Sequence, residues 1–257
     1  MAVTSFSDRA LVLKRQQYGD FDLIVHLLTR GHGKITTIAK AAKKSVKRFG
    51  GTLEPFAELK VVWKGGKGMP ILIEASLERT VEGIRTDLVK MAYASYWVEV
   101  LDRHLEPFHH QPESFTLLRL VLERLEAENR SVADLSVLFQ MRFLMQAGLN
   151  PGLDQCRRCQ RGVEQLAEDH FYFDTAQGGI VCSRCKPGAQ GRMALSVTTI
   201  RQLMWIAQRP LAVAQRIRLS PQALLESERM LEAFITYHSN QTPRSLTFLR
   251  QLRCSQA

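Results

Sequence analysis

Four cysteines in two Cys-x-x-Cys pairs carry the clearest chemistry in this sequence. Cys156-Arg-Arg-Cys159 and Cys182-Ser-Arg-Cys185 are separated by twenty-two residues. Each pair wraps one edge of a tetrahedral ion from a tight turn, and four thiolates complete the tetrahedron at Zn–S distances of ~2.3 Å. The separation runs slightly past the usual zinc-ribbon spacing, and His170-Phe-Tyr-Phe-Asp174 in the linker reads as a strand of such a ribbon. A Zn(Cys)4 centre carries a charge of about −2. Arg157, Arg158, Arg161, Arg184 and Lys186 stand where they offset it. Four protein ligands leave no position for a catalytic water, so the expected cofactor is one structural Zn2+ per chain. Two disulfides or four free thiols are the other states open to these residues.

The second chemical feature is a window without acids. Between Leu23 and Leu53 there is no Asp or Glu, while Arg30, Lys34, Lys40, Lys43, Lys44, Lys47 and Arg48 supply seven positive charges. Residues 1–80 hold 14 Lys/Arg against 7 Asp/Glu, so most of the net charge of +10 sits in this third of the chain. Such clustering points to a polyanionic partner, because cations placed along a backbone neutralise phosphates and release counterions. These seven residues are the candidate nucleic-acid-binding set. Phe49, Phe56 and Trp63 lie close enough in sequence to stack on unpaired bases. For Phe56 and Trp63 a place in the core is favoured, since apolar strand neighbours flank Trp63.

The elements that would position these groups follow from periodicity. Ala10–Leu13, Leu23–Leu28, Lys34–Ala39, Leu59–Trp63 and Ile71–Ala75 read as five short strands. Tyr18-Gly-Asp20, Arg30-Gly-His-Gly33 and Gly65-Gly-Lys-Gly68 read as the turns that punctuate them. Five strands in about 80 residues suit an OB-fold barrel, the small barrel built to hold oligonucleotides, although an SH3-like barrel has similar spacing. After Arg79 the period becomes helical, over Leu88–Leu101, from Pro112 to Leu125, from an N-capping Ser131 to Gly148, over Leu195–Ile206 and over Pro221–Tyr237. Ser131 with Asp134 three residues on comes close to a capping box. The expected architecture is an α+β multidomain chain. Residues 1–80 form the OB-fold nucleic-acid-binding domain and 81–257 a helical domain with the zinc module inserted at about 150–190.

Other chemistries are poorly represented. Hydrophobic residues make up 45% and charged residues 23% of the 257 positions, as in an ordinary globular protein. No apolar run reaches the ~18 residues of a membrane span, and Met1–Gln17 lacks a signal peptide's apolar core. A reducing cytoplasm is therefore the expected compartment, which favours metal over disulfides. Cys254, the fifth cysteine, reads as a free thiol. Gly65-Gly-Lys-Gly68 lacks the phosphate-loop spacing. His104-Leu-Glu106 matches the His-x-Glu of zinc deaminases, but no proline precedes Cys156 or Cys182 and one cysteine pair would be left without a role. Arg119, Arg142, Arg201, Arg209, Arg216 and Arg218 read mainly as helix surface, with a subset available to an acidic peptide tail. The chain is expected not to be an enzyme.

Several segments together carry a resemblance. In order they are Gln17-Tyr-Gly-Asp20, Thr29-Arg-Gly-His-Gly-Lys34, Ala39-Lys-Ala-Ala-Lys-Lys44, Leu53-Glu-Pro-Phe56, Gly148-Leu-Asn-Pro151 and the two cysteine pairs. The chain resembles the RecO family of bacterial DNA repair and recombination mediators over essentially its whole length. Gln160 departs from the glycine that family members often have after the first pair. The resemblance implies an OB-fold domain joined to a helical domain holding the zinc module. It also implies a non-enzymatic, nucleoid-associated role: binding single- and double-stranded DNA, annealing complementary strands, and contacting the acidic tail of single-strand-binding protein. With RecR, and in some pathways RecF, such proteins help load RecA. Two other classes share the charge and the cysteines, namely a zinc-ribbon regulator that reads DNA sequence and an RNA-binding module. No helix-turn-helix signature supports the first of these.

Overall fold

The computed structural model describes residues 4–66, 68–127, 131–186 and 193–256. The chain forms two compact units, one of Met1–Asn129 with Pro243–Ala257 and one of Arg130–Thr242.

The first unit begins with strands β1 (Ser5–Tyr18), β2 (Asp22–Thr29) and β3 (Gly33–Ala39), the one-turn helix α1 (Val46–Phe49), and strands β4 (Glu58–Lys64) and β5 (Ile71–Arg79). They close an OB-fold barrel in the order β1-β2-β3-β5-β4. All pairings are antiparallel except β3 with β5, which meet in parallel at Ile38 and Ile71. Lys67 of the expected β4–β5 turn lies outside the described residues.

β1 differs most from the short Ala10–Leu13 strand expected. Its first half pairs with β4 and its second half with β2, with a register shift between Val12 and Lys14. The apolar run is only its doubly buried middle. Ala10 and Val12 enter the barrel core, while Leu11 and Leu13, on the other face of the pleat, are 2% and 3% exposed. That outer face is covered by helices, with α3 (Leu88–His104) packed on β1 and α4 (Pro112–Ala127) on β2. The flanking segments Ser5–Arg9 and Lys14–Tyr18 are mostly polar and so lack an apolar run.

Polar groups fasten these helices to the barrel. The buried Glu58 carboxylate of β4 accepts from Arg119 Nε at 3.1 Å and lies 3.5 Å from Arg79 Nε. His26 Nδ1 lies 3.2 Å from Asp102 of α3. Burial pushes the Asp102 carboxyl up, but the hydrogen bond and charge of His26, with Lys34 and Lys14, bring it below the ordinary range. After the short helix α2 (Glu82–Thr86) and helices α3 and α4, the unit is completed from far along the chain by α9 (Arg244–Gln256), which packs on α3. Glu99 of α3 caps α9 by accepting from Ser245 N at 2.8 Å and Arg244 N at 3.1 Å. Burial raises the Glu99 pKa, but the Ser245 hydroxyl and these N–H donors bring it below normal, as suits a carboxylate at a helix N-terminus.

Gly33 closes the β2–β3 hairpin at φ +68, and a Cβ there would stand 1.9 Å from the His109 carbonyl oxygen. Gly33→Ala therefore combines left-handed strain with displacement of the 106–111 segment. It is expected to lower stability by at least about 2 kcal/mol, read as the midpoint shift in urea unfolding. An unchanged midpoint would show that this segment is not held against the hairpin.

The second unit contains α5 (Val132–Gln146), the strands β6 (His170–Asp174), β7 (Gly179–Val181) and β8 (Met193–Ser196), and the helices α6 (Val197–Gln208), α7 (Leu211–Ala214) and α8 (Pro221–Ser239). Ser131 caps α5 by accepting from Asp134 N at 3.4 Å. The Asp134 carboxylate accepts from Leu219 N at 3.2 Å, reaching beyond the cap. The three strands form a sheet in the order β7-β6-β8, with Phe171, Phe173, Ile180 and Leu195 fully buried. Leu195, expected to open a helix, lies within strand β8 instead. Ser196 turns the chain by accepting from Thr199 N at 3.2 Å, and the helix starts at Val197.

Candidate metal centre and nucleic-acid interface

The cysteine pairs sit on two turns beside the small sheet. In the first, Gln160 N donates to Cys156 O and Cys156 N to Arg161 O, both at 2.9 Å. Gln160 takes φ +59, a conformation that favours glycine and costs another residue ~1–2 kcal/mol. In the second, Ser183–Cys185 is a single 3-10 turn whose start is held by Glu168. That carboxylate accepts from Ser183 N and Ser183 Oγ, each at 2.8 Å. Glu168 was invisible at the sequence level because nothing in its spacing links it to Ser183. Arg157 N donates to Ile180 O at 2.8 Å and so joins the first turn to β7.

The four sulfur atoms converge. All the Sγ atoms lie within 4.8 Å of one another. Cys159 and Cys182 are 3.9 Å apart, close to the ~3.8 Å edge of a tetrahedron with ~2.3 Å Zn–S bonds. None of the four is in a disulfide; Cys156 and Cys182 are buried and Cys159 and Cys185 half-buried, while Cys254 is exposed.

Their ionisation is graded. Hydrogen bonds from the Arg161 backbone and side chain bring Cys159 down to about 6. Burial pushes Cys156 up, but the N–H groups of Cys159, Cys182 and Arg158 outweigh it and leave this thiol below its usual range. Cys185 is pushed up to about 12, first by its hydrogen bond with Cys182, and burial raises Cys182. A new negative charge beside an existing thiolate is costly until a cation joins them. A dication removes that cost, so this donor set fits a metal ion.

The nearby basic residues divide. Arg161 faces the thiolates, and its pKa is raised first by Cys159. Arg157 instead crosses Gly152, where a Cβ would stand 2.0 Å from its Nη2. Lys186 Nζ lies 3.8 Å from the centroid of the Tyr172 ring. Arg158 and Arg184 are exposed on the turns.

The seven basic residues of the barrel also divide. Lys40, Lys43, Lys44, Lys47 and Arg48 follow β3, and strand register sets the β1–β2 turn beside them, since Leu23 pairs with Ala39. Lys43 N donates to Phe21 O at 3.1 Å, and Ala41 N to Asp22 Oδ1 at 2.7 Å. The β4–β5 connection reaches the same barrel end, where Ile38 N donates to Pro70 O at 2.8 Å. Lys40, Lys43, Lys44 and Lys47 are exposed. Arg48 is half-buried and braces the segment by donating from Nη2 to Lys40 O at 2.7 Å and from Nε to Ser45 Oγ at 2.9 Å.

Arg30 and Lys34 belong to the opposite end, at the β2–β3 hairpin, about 25 Å away along β2. Arg30 is exposed there. The Lys34 side chain is 12% exposed, and its ammonium donates to the Asp102 carbonyl and lies 3.7 Å from the Asp102 carboxylate. The structure thus joins five of the seven and separates two.

The aromatic candidates lie inside. Phe49 and Trp63 are each 2% exposed and Phe56 is 7%. Trp63 stacks on Phe6 with centroids 5.4 Å apart. Removing such a ring from a core costs roughly 3–5 kcal/mol, more than one base stack contributes, so its packing role dominates. Phe108, Tyr237 and Phe248 are exposed elsewhere in the chain, as are Tyr18 and Phe21 at the β1–β2 turn. Aromatics flanking a Gly-Asp turn, where no core position is expected, were the available sign of them.

Elsewhere, several arginines have structural partners. Arg201 makes a two-pronged pair with Glu164, at 3.1 and 2.8 Å. Arg142 donates to the Arg209 carbonyl, and Arg218 lies 3.9 Å from Asp134. His104 Nδ1 hydrogen-bonds with the Val100 carbonyl at 2.8 Å within α3. His109 and His110 are exposed. Among the described residues no helix is long and apolar enough to cross a membrane.

Comparison with known proteins covers nearly the whole chain. Residues 1–81 match the family profile "Recombination protein O N terminal". Residues 85–247 match "Recombination protein O C terminal". DNA repair protein RecO of Desulfatibacillum aliphaticivorans is 42% identical over 247 residues, covering 95% of this chain and 96% of that protein. The protein of that name in Desulfosudis oleivorans is 41% identical over 255 residues, with 96% and 98% covered. That of Myxococcus xanthus is 34% identical over 248 residues, with 96% and 98% covered. With both halves matched and relatives of this identity along the full length, the chain belongs to the recombination protein O (RecO) family.

Proposed function

We propose that this chain acts in DNA repair and homologous recombination as a mediator without catalytic chemistry of its own. The observation that carries this reading is the full-length kinship with proteins named DNA repair protein RecO. It binds single- and double-stranded DNA through the barrel end that bears Lys40, Lys43, Lys44 and Lys47. These exposed ammonium groups contact phosphates and so favour no particular sequence. Two DNA strands repel each other, and a cationic surface that touches both lowers that barrier, which is the physical basis for annealing. With RecR, and where the pathway uses it RecF, the chain helps load RecA onto strands coated by single-strand-binding protein, whose acidic tail it recognises.

Cys156, Cys159, Cys182 and Cys185 hold one Zn2+ in this reading. The ion supplies a closed tetrahedral cross-link between two turns and neutralises thiolate charge. The chain's own residues complete the site, with Arg161 beside the thiolates and Glu168 fixing the Cys182–Cys185 turn.

The test is annealing of complementary strands already coated with the cognate single-strand-binding protein. Annealing well above the protein-free rate is expected, and it should vanish when the acidic tail is removed from the coat. Annealing of naked strands alone would reduce the chain to a basic DNA binder, and the mediator reading would fall.

A further inference from the structure

We propose that Tyr18 and Phe21 form a base-stacking platform that makes this barrel end prefer single-stranded over duplex DNA. The proposal rests on the reading above that this end binds DNA, and it adds which form of DNA is held and by which groups. Tyr18 and Phe21 are 54% and 43% exposed. They are three residues apart, so their Cα atoms lie within about 10 Å of each other. The turn they flank needs no aromatic ring, since Gly19 at φ +61 already supplies its left-handed step.

Two further observations tie the rings to nucleic acid. The turn and the basic segment are a single surface, joined by the Lys43 N to Phe21 O and Ala41 N to Asp22 Oδ1 hydrogen bonds. In addition, Lys44 Nζ rests 3.4 Å from the centroid of the Phe21 ring. A cation–π contact at an exposed site is weaker than a base–aromatic stack. A base arriving on Phe21 displaces the ammonium, which then pairs with a phosphate of the same strand. An apolar peptide would have no use for the lysines, and a duplex keeps its base faces stacked within the helix. Unpaired bases on a phosphate backbone satisfy both the rings and the charges. Asp20, exposed between the rings, is the adjacent group that opposes phosphate.

The experiment compares the full-length protein with Tyr18→Leu/Phe21→Leu and with Tyr18→Phe/Phe21→Tyr. Fluorescence anisotropy is read on oligothymidylate, on its abasic counterpart and on a duplex, over a range of salt. The leucine pair keeps apolar bulk at exposed positions, and equal thermal melting checks its fold. It should bind oligothymidylate at least about 10-fold more weakly, with duplex affinity and the salt dependence unchanged because no phosphate contact is lost. The unaltered chain should prefer oligothymidylate to the abasic strand, and the leucine pair should not. The aromatic exchange should behave as the unaltered chain. Unchanged single-strand binding by the leucine pair would overturn the proposal and leave the rings to a protein partner. Equal losses on single strand and duplex would also overturn it, as the turn would then only support the lysines. If the unaltered chain bound none of the three, the DNA-binding reading beneath would fail as well.

Discussion

Replacement of Cys182 by serine is expected to abolish zinc binding and to loosen the small β7-β6-β8 sheet. Cys182 is fully buried, its N–H donates to Cys156 Sγ at 3.4 Å, and its sulfur lies 3.9 Å from Cys159. A serine hydroxyl stays protonated at neutral pH and is a poor zinc ligand, so the remaining thiolates lose their shared counter-charge. Zinc is worth ~10–16 kcal/mol in peptides that have no other core. Here Phe171, Phe173, Ile180 and Leu195 are fully buried and support the sheet independently. The expected loss is accordingly smaller, on the order of several kcal/mol in the unit that carries the four cysteines. Elemental analysis of protein purified without chelators should find about one zinc per chain, and none in the variant. Thermal unfolding should show a lowered or separated transition. Cys254→Ser, at an exposed cysteine, should change neither quantity. Zinc-free wild-type protein would remove the metal from the account, while a zinc-free variant with unaltered melting would remove its structural role.

The triple charge reversal Lys43→Glu/Lys44→Glu/Lys47→Glu should cut affinity for every DNA sequence by roughly 100-fold or more at low salt. All three side chains are exposed, so the effect on folding should be small. Each lost phosphate contact lowers the steepness of log affinity against log salt by about 0.9 on duplex and about 0.7 on single strands. Three contacts should therefore flatten the slopes by about 2.7 and 2.1. Arg48 is left in place because its guanidinium ties Lys40 O to Ser45 Oγ, and a glutamate there would disturb the segment itself. Arg30→Glu, at the far end of the barrel, should alter affinity and slope much less. Titrations at several salt concentrations decide the matter. A stronger effect from Arg30 than from the lysines would move the DNA surface to the other hairpin. A loss confined to one sequence would favour a regulator that reads bases.

The convergence of the four cysteines was legible because Cys-x-x-Cys spacing encodes its own geometry: two residues make the turn that points both sulfurs one way. Strand β6, written as His170-Phe-Tyr-Phe-Asp174, was legible for the same reason, since alternation is a property of neighbours in the chain. The number of barrel strands and the acid-free basic window were likewise local facts. Other features depend on pairings between distant residues. The true length of β1 follows from its serving β4 with one half and β2 with the other. Helix α9 finds its place on α3 through Glu99 and Ser245, 146 positions apart. Burial of Phe49, Phe56 and Trp63, and exposure of Tyr18 and Phe21, depend on which way each segment faces once the barrel is closed. The seven basic residues show the division most directly. Their positions in the sequence established that the barrel is cationic. Register and closure decided that five lie at one end, while Arg30 and Lys34 lie at the other with the Lys34 ammonium held by Asp102. Sequence separation does not reveal this, because a strand of eight residues carries the chain from one end of a barrel to the other.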